Sequence, residues 1–430
     1  MLMTIQILQW TLVAMGFLIV LDILLQSKDV WGMLRYLRRE NRKPADGGGE
    51  TRSPKAAIIL SLRGPDPRLT ETLQALMGQD YPDFHIQVVV DSEEDPVLQN
   101  VVDIQEASAQ DNIRISVLRN PGTTCSLKCS SLIQAVNDLE SNVKIVAFID
   151  GDVVPHPTWL KELVTPLVNS EADVVGGNRW YLPPNAQFGT VARYFWNAAY
   201  MTGMWAQGAP WAGTMAFQRS TIDRIGLLHA WSTAMSVDAT LHRCMRANNR
   251  TFKLVPSLIM TNRENISVPE FQRWVTRQMA VIRYTASETA RSAERQMGIL
   301  LALHTMLPGV AVTAFLMNQP VVGVTALASI GFYWLFCSLR MILIERTVRA
   351  TVRKRGEVPE WLTLSKILFW YPSVVVTHYV IGYGVLRALR VKKVDWRGIS
   401  YLLSSNGDVQ MEAYRPFGAE WIRKENHSIV

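Results

Sequence analysis

The sequence predicts an α/β protein, a doubly wound parallel sheet carrying transmembrane helices at both ends. Three observations predict it. Between Lys55 and Ile149, short apolar β-branched runs alternate with helical stretches, the pattern of a parallel sheet covered on its faces by helices. Apolar runs of about twenty residues, the length that crosses a bilayer, stand near the start of the chain and again in its last third. In the middle, the run at residues 143–149 stops at Asp150, Gly151 and Asp152. Acids at the end of a buried strand stand where open α/β sheets bind ligands.

Composition narrows the class. The chain has 430 residues, 48% of them hydrophobic, and a net charge of +7. Its basic residues cluster beside the apolar runs, which fits cytoplasmic flanks of membrane segments and argues against a groove for nucleic acid. Cys125 and Cys129 have no second metal-type pair, and Cys244 and Cys337 stand alone. Reduced, structural thiols follow. His156, His229, His242 and His304 are scattered over different stretches, and none reads as a metal ligand.

In chain order, residues 4–25 form a nearly unbroken apolar run, interrupted near its end by Asp22. No small-residue cleavage site follows, so a retained anchor is expected at residues 1–27. Arg35, Arg38, Arg39, Arg42 and Lys43 come next and mark the cytoplasmic side. That stretch also suits an interfacial helix with Trp31, Leu34 and Leu37 on lipid. Residues 28–54 are therefore a basic interfacial segment and a linker. Gly47, Gly48 and Gly49 lack the preceding strand and following helix of a phosphate loop and read as a spacer.

Residues 55–295 form the α/β domain, expected on the cytoplasmic face. Strands are expected at 56–62, 86–90, 113–118 and 143–149, with helices at 70–77 and 130–139. The later part of this domain carries Trp180, Trp196, Trp205, Trp211 and Trp231, suited either to a core or to a surface that meets sugars or lipid headgroups. Residues 296–390 hold membrane segments at 297–317, 321–344 and 364–386. The last is flanked by Arg387, Arg390, Lys392 and Lys393. A simple crossing would leave those charges outside, so a re-entrant or interfacial segment is expected there. Residues 391–430 read as a polar cytoplasmic tail.

Taken together, the strand at 56–62, the phrase QDYPDFHIQVVVDSEED at 79–95, the DGD and a later Asp resemble the family 2 glycosyltransferases. The chain is more closely similar to their membrane-bound, ceramide-glucosyltransferase-like branch, over residues 55–401. The resemblance implies a GT-A type domain that binds a nucleotide sugar, with UDP as the expected nucleotide. It also implies a divalent metal (Mg or Mn), a membrane lipid acceptor and an integral membrane location.

Its site residues carry over one by one. Asp91 matches the strand-end acid that contacts the nucleotide, and a turn-forming Asp is the competing reading. Lys128 matches a cation near the donor diphosphate, although Cys125 stands near where the family usually has Gly, and a solvated Lys is the alternative. Asp150 and Asp152 match the DxD, with Asp152 toward the metal and Asp150 toward the nucleotide sugar and the metal. Residues 211–216 match a small-residue segment in which Gly213 would let backbone approach the sugar. Asp238 matches the general base that deprotonates the acceptor, which implies a single inverting displacement. An Asp opening a helix also serves as an N-cap.

The family's last signature, Gln/Arg-x-x-Arg-Trp, is broken. Arg273 and Trp274 are present, but Glu270 stands three residues before Arg273. A second alignment offers Arg277, Gln278 and Arg283 as a variant cluster facing the diphosphate, against the alternative of a basic interfacial helix. Trp396, Arg397, Gly398 and Tyr401 match a WRGxxY that marks this branch. The leading expectation is transfer of one sugar to a membrane lipid such as ceramide or diacylglycerol. A processive polysaccharide synthase, a polyprenyl-phosphate glycosyltransferase and a non-catalytic scaffold with a relic fold remain alternatives.

Overall fold

The computed structural model describes residues 2–42, 53–108, 112–360, 362–404 and 407–418. The glycine spacer at 47–49 lies outside the described residues. Helix α1 (Leu2–Glu40) leads to β1 (Ala56–Leu62), α2 (Leu69–Met77), β2 (Phe84–Val90), α3 (Pro96–Ala107), β3 (Ile113–Val117), α4 (Leu127–Asn137) and β4 (Ile145–Ile149). Next come α5 (Trp159–Val168), β5 (Val174–Tyr181), α6 (Phe188–Gln207), β6 (Thr214–Gln218), α7 (Arg219–Arg224), α8 (Leu227–Trp231), α9 (Val237–Ala247) and β7 (Phe252–Asn262). Helices α10 (Val268–Thr285), α11 (Ser287–Leu316), α12 (Pro320–Lys354) and α13 (Leu364–Ala388) follow. A small sheet of β8 (Lys393–Trp396), β9 (Ile399–Leu403) and β10 (Val409–Met411) ends the series.

The large sheet has the order β3-β2-β1-β4-β6-β5-β7. Strands β1 to β4 are parallel and β1 is buried on both faces, which is why its sequence is almost continuously apolar. The expectation of an all-parallel sheet is corrected at β6, which runs antiparallel to β4 and β5. Helix α6 delivers the chain to the carboxyl end of β4, so the next strand must run back. The register Ile149↔Thr214 brings Gly213 beside the acidic turn, where the Asp150 amide donates to the Gly213 carbonyl at 3.3 Å. Trp180 and Trp231 are core residues, and Trp231 meets Phe148 edge-on at 5.7 Å.

Helix α1 does not break where its apolar run ends. Met33, Leu34 and Leu37 are fully buried, so the reading that set Leu34 and Leu37 on lipid is corrected: they pack against protein, while Trp31 stays exposed. Each such burial contributes roughly 1.5–3 kcal/mol, enough to carry the helix past its basic residues. The Tyr36 hydroxyl donates to the Leu254 carbonyl of β7.

Among the described residues, four helices, α1, α11, α12 and α13, are long and apolar enough to cross a membrane. Helix α12 is tied to the sheet domain by Glu345, which is buried. It accepts from Trp180 Nε1 at 2.8 Å and from the Tyr194 hydroxyl, and pairs with Arg349. Helix α13 is one unbroken helix and not a re-entrant hairpin. Near its start Trp370 packs on Tyr194 and Phe195 of α6, and near its end Gly384 abuts Val275 and Thr276 of α10.

In the segment read as a polar tail, residues 391–404 and 407–418 are folded onto the sheet. Val394, Ile399, Tyr401, Leu403, Val409 and Met411 bury one face of the small sheet. The Leu127 amide donates to the Tyr401 hydroxyl at 3.2 Å and the Met411 amide to the Thr123 carbonyl at 2.7 Å.

Candidate active site

The carboxyl ends of β1, β2 and β4 open into a polar cavity of about 220 Å³ that includes Arg63, Asp91, Lys128, Asp150, Asp152 and Arg179 among its lining. Asp91 follows β2, Asp150 follows β4, and Lys128 sits in the first turn of α4. A cation there opposes the helix dipole by about 0.3–1 kcal/mol. Asp150, which pairs with Lys128, offsets that cost. Arg179, at the end of β5, lies 2.9 Å from Asp152 Oδ1 and 3.6 Å from Asp150 Oδ2.

Burial alone would raise the Asp150 carboxyl, but Lys128 and Arg179 outweigh it and hold its pKa below the usual carboxylate range. Burial likewise works against the Lys128 ammonium, yet Asp150, Asp238 and Asp152 keep its pKa raised. Two acids and two cations thus form a mutually neutralised set. Arg179 is also held from above, its guanidinium 4.9 Å over the Trp211 ring. Gly213 makes that possible, because a Cβ at this position would stand 2.0 Å from the Trp211 ring. The segment at 211–216 therefore serves packing that orients Arg179.

Asp91 is almost wholly buried, under the C-terminal segment. Its Oδ2 pairs with Arg63 and accepts from the Phe417 amide at 3.0 Å, and its carbonyl accepts from the Tyr414 hydroxyl at 3.0 Å. Burial, exceeding the pull of Arg63, pushes its pKa up. Its other oxygen, Oδ1, is buried without a protein partner among the described residues. Leaving such a group unmatched costs about 1–3 kcal/mol.

Asp238 lies in a second cavity, of about 320 Å³. This one runs from Asp238 and His242 past Trp196 and Tyr200 to Gln26, Arg340 and His378 on the apolar helices. The N-cap of α9 is Ser236, whose hydroxyl accepts from the Ala239 amide at 3.3 Å. Asp238 sits two residues further in. Its Oδ1 accepts from the Ala239 amide at 2.9 Å and from the Ser236 hydroxyl, and its Oδ2 has no protein donor among the described residues. Asp238 acts electrostatically on Lys128, although the two cavities share no lining residue.

The variant cluster is not assembled around the polar cavity. Gln278 lines the second cavity with Asp238. Arg283 is paired instead with Glu294 at 3.2 Å, because the chain turns there from α10 into α11. Arg277 is half-buried on α10, and burial, then the nearby Arg397, lower its pKa. Three cations of the polar cavity were missed. Arg63 directly follows β1, so the strand-end rule that marked Asp150 also marks it. Arg179 ends a strand that sequence patterning had not delimited. Arg397 was visible only as part of a family marker.

The residues present fit a divalent metal of the magnesium or manganese kind. Asp150 and Asp152 each keep about a fifth of their side chain exposed, 23% and 22%, to the cavity. No cluster of three or more His, Cys, Asp or Glu suited to a metal exists among the described residues. Two carboxylates with the remaining positions filled by phosphate oxygens and water suit these ions.

Residues 12–409 match glycosyl transferase family 21. Glycosyltransferase AglE of Haloferax volcanii is 26% identical over 142 residues, 33% of this chain and 44% of the relative. The chain thus spans less than half the length of that curated relative. Among solved structures, mannosyltransferase PcManGT from Pyrobaculum calidifontis, in complex with GDP-Man and Mn2+, is similar at 14% identity and a TM-score of 0.48, covering 87% of this chain and 99% of its own. Glucosyl-3-phosphoglycerate synthase from Mycobacterium tuberculosis, in complex with Mn2+ and UDP, is 14% identical with a TM-score of 0.35, covering 54% and 80%. The family match and the mixed seven-stranded sheet describe a GT-A type domain with long apolar helices at both ends.

Proposed function

The chain belongs to glycosyl transferase family 21, and from that premise we propose that it moves a single sugar from a nucleotide sugar, UDP-linked, to a membrane lipid such as ceramide or diacylglycerol. The observation that carries the reading is the presence of two unlike cavities whose charged residues Lys128 and Asp238 act on one another electrostatically. The polar one holds the charges a nucleoside diphosphate needs, and the other runs from Asp238 into the apolar helices.

The donor lies with its nucleoside toward Asp91 Oδ1 and its diphosphate toward Lys128 and Arg179. The lipid chains lie among α6, α11 and α13, with Gln278 and Gln296 offering hydrogen bonds along the cavity. The acceptor hydroxyl gives its proton to Asp238 as its oxygen attacks the anomeric carbon. The bond from that carbon to the diphosphate oxygen breaks in the same step, the nucleoside diphosphate leaves with the electron pair, and configuration inverts. Asp150 and Asp152 would hold a divalent metal, which when bound would supply Lewis-acid neutralisation of the departing diphosphate. Lys128 and Arg179 stabilise the same charge with fixed, partly desolvated donors.

Orientation follows the basic flanks. Arg38 and Arg39 end α1 and Arg353 and Lys354 end α12, and both ends join the sheet domain. Arg355 donates to the Ser257 and Ile259 carbonyls at 2.7 and 2.6 Å. The positive-inside rule therefore supports a catalytic domain on the cytoplasmic face, with α13 lying along it.

The test uses the full chain in lipid vesicles with manganese, a panel of radiolabelled nucleotide sugars and mixed lipids. One labelled glycolipid, lost in Asp152→Asn and in Asp238→Asn, is expected. A long insoluble polymer would make it a synthase, and label confined to a polyprenyl phosphate would replace the acceptor class.

A further inference from the structure

We propose that Arg397, at the tip of the β8–β9 hairpin, binds the diphosphate of the donor, so that the C-terminal sheet is part of the active site. This rests on the nucleotide-sugar reading above.

The first observation is backbone strain. Trp396 pairs with Ile399, leaving Arg397 and Gly398 as a two-residue hairpin loop. Both have positive φ, 45° and 77°, as the mirror-image turn that suits a twisted hairpin requires. Asn, Asp or Gly takes the first loop position readily, whereas an Arg there is strained. A strained residue at a ligand cavity points to a use for its side chain.

The second observation is where that side chain goes. Arg397 lines the polar cavity with Lys128, Asp150 and Asp152. It donates to the Arg63 carbonyl, and the acid it approaches, Asp66, is 3.9 Å away. The side chain is 48% exposed, so most of its five donors remain available. Arg179 and Lys128 are already engaged by the two acids, whereas Arg397 presents an open planar fork suited to phosphate oxygens.

The hairpin is also fixed in place. Arg63 Nε donates back to the Arg397 carbonyl at 2.9 Å, and Tyr401 holds the first turn of α4, the turn that carries Lys128. Helix α10 contributes no residue to the lining of this cavity among the described residues. The C-terminal hairpin thus adds to Lys128 and Arg179 a diphosphate cation that the broken motif on α10 does not supply.

The deciding variant is Arg397→Asn, which relaxes the backbone while removing the cation. Binding of UDP and UMP with manganese would be measured by calorimetry on the full chain, with GDP and GMP alongside, and thermal unfolding recorded in parallel. The expected result is a melting temperature equal to or above wild type and UDP affinity lower by about 10- to 100-fold. UMP affinity should change by less than about threefold, and Arg397→Lys should recover part of the loss. Equal weakening of UDP and UMP, or unchanged UDP affinity, would overturn the assignment. Wild-type protein that binds none of the four nucleotides would overturn the donor reading itself, and this inference with it.

Discussion

Arg179 stands 2.9 Å from the carboxylate of Asp152, with the Trp211 ring stacked on its other side at 4.9 Å. One aromatic ring thus fixes the cation that holds an acid of the DxD, and the ring itself needs Gly213. In Gly213→Ala, the new Cβ displaces Trp211 and forfeits about 0.5–2 kcal/mol of cation–π contact. The expected outcome is a folded protein whose donor KM rises several-fold while acceptor KM is unchanged. Arg179→Gln should show the same split more strongly in steady-state kinetics. An unchanged donor KM in both variants would remove Arg179 from the donor site.

Ser236 caps α9, which in the proposed mechanism leaves Asp238 to take the acceptor's proton. Asp238→Asn keeps an acceptor for the Ala239 amide and cannot take up a proton. Its kcat is expected to fall by about 10²–10⁴ with donor affinity retained. Ser236→Ala should instead lower stability by about 0.5–2 kcal/mol with a smaller effect on kcat. Stopped turnover alongside intact nucleotide binding, measured on the same preparation, distinguishes the two.

How the sheet domain and the apolar helices join depends on Glu345. Glu345→Ala leaves Arg349, Trp180 Nε1 and the Tyr194 hydroxyl without their shared acceptor. Breaking a buried pair from one side costs about 3–5 kcal/mol. Unfolding in detergent should show that loss. A variant as stable as wild type would mean that the domains hold together without this link.

Much of this arrangement was legible in the sequence, and the misses have physical causes. β-branched runs marked β1, β2 and β4, and the strand-end rule marked Asp91, Asp150 and Asp152. The direction of β6 was not legible, because an apolar run of five residues has no polarity of its own. Leu34 and Leu37 looked lipid-facing because an apolar stripe reads alike against lipid and protein. Arg179 and Arg397 reach the cavity only through pairings distant in sequence, so spacing could not bring them together with Asp150.

Acid sensitivity carries a sign. The native pKa of Asp150 is depressed, so its contribution to stability is fully present above the unfolded value of about 4. It disappears as pH falls through the native value. The difference in melting temperature between wild type and Asp150→Asn should be constant above about pH 5 and shrink below it. A difference that grows on acidification would reverse the assignment of Lys128 and Arg179 as its stabilising partners.

The most direct test of a single displacement directed by Asp238 is the anomeric configuration of the sugar on the purified glycolipid, read by NMR coupling constants. The account predicts one sugar per lipid, with the configuration opposite to that in the nucleotide sugar. A product that keeps the donor's configuration would contradict it, because in-line attack by an acceptor oxygen deprotonated at Asp238 inverts the anomeric carbon.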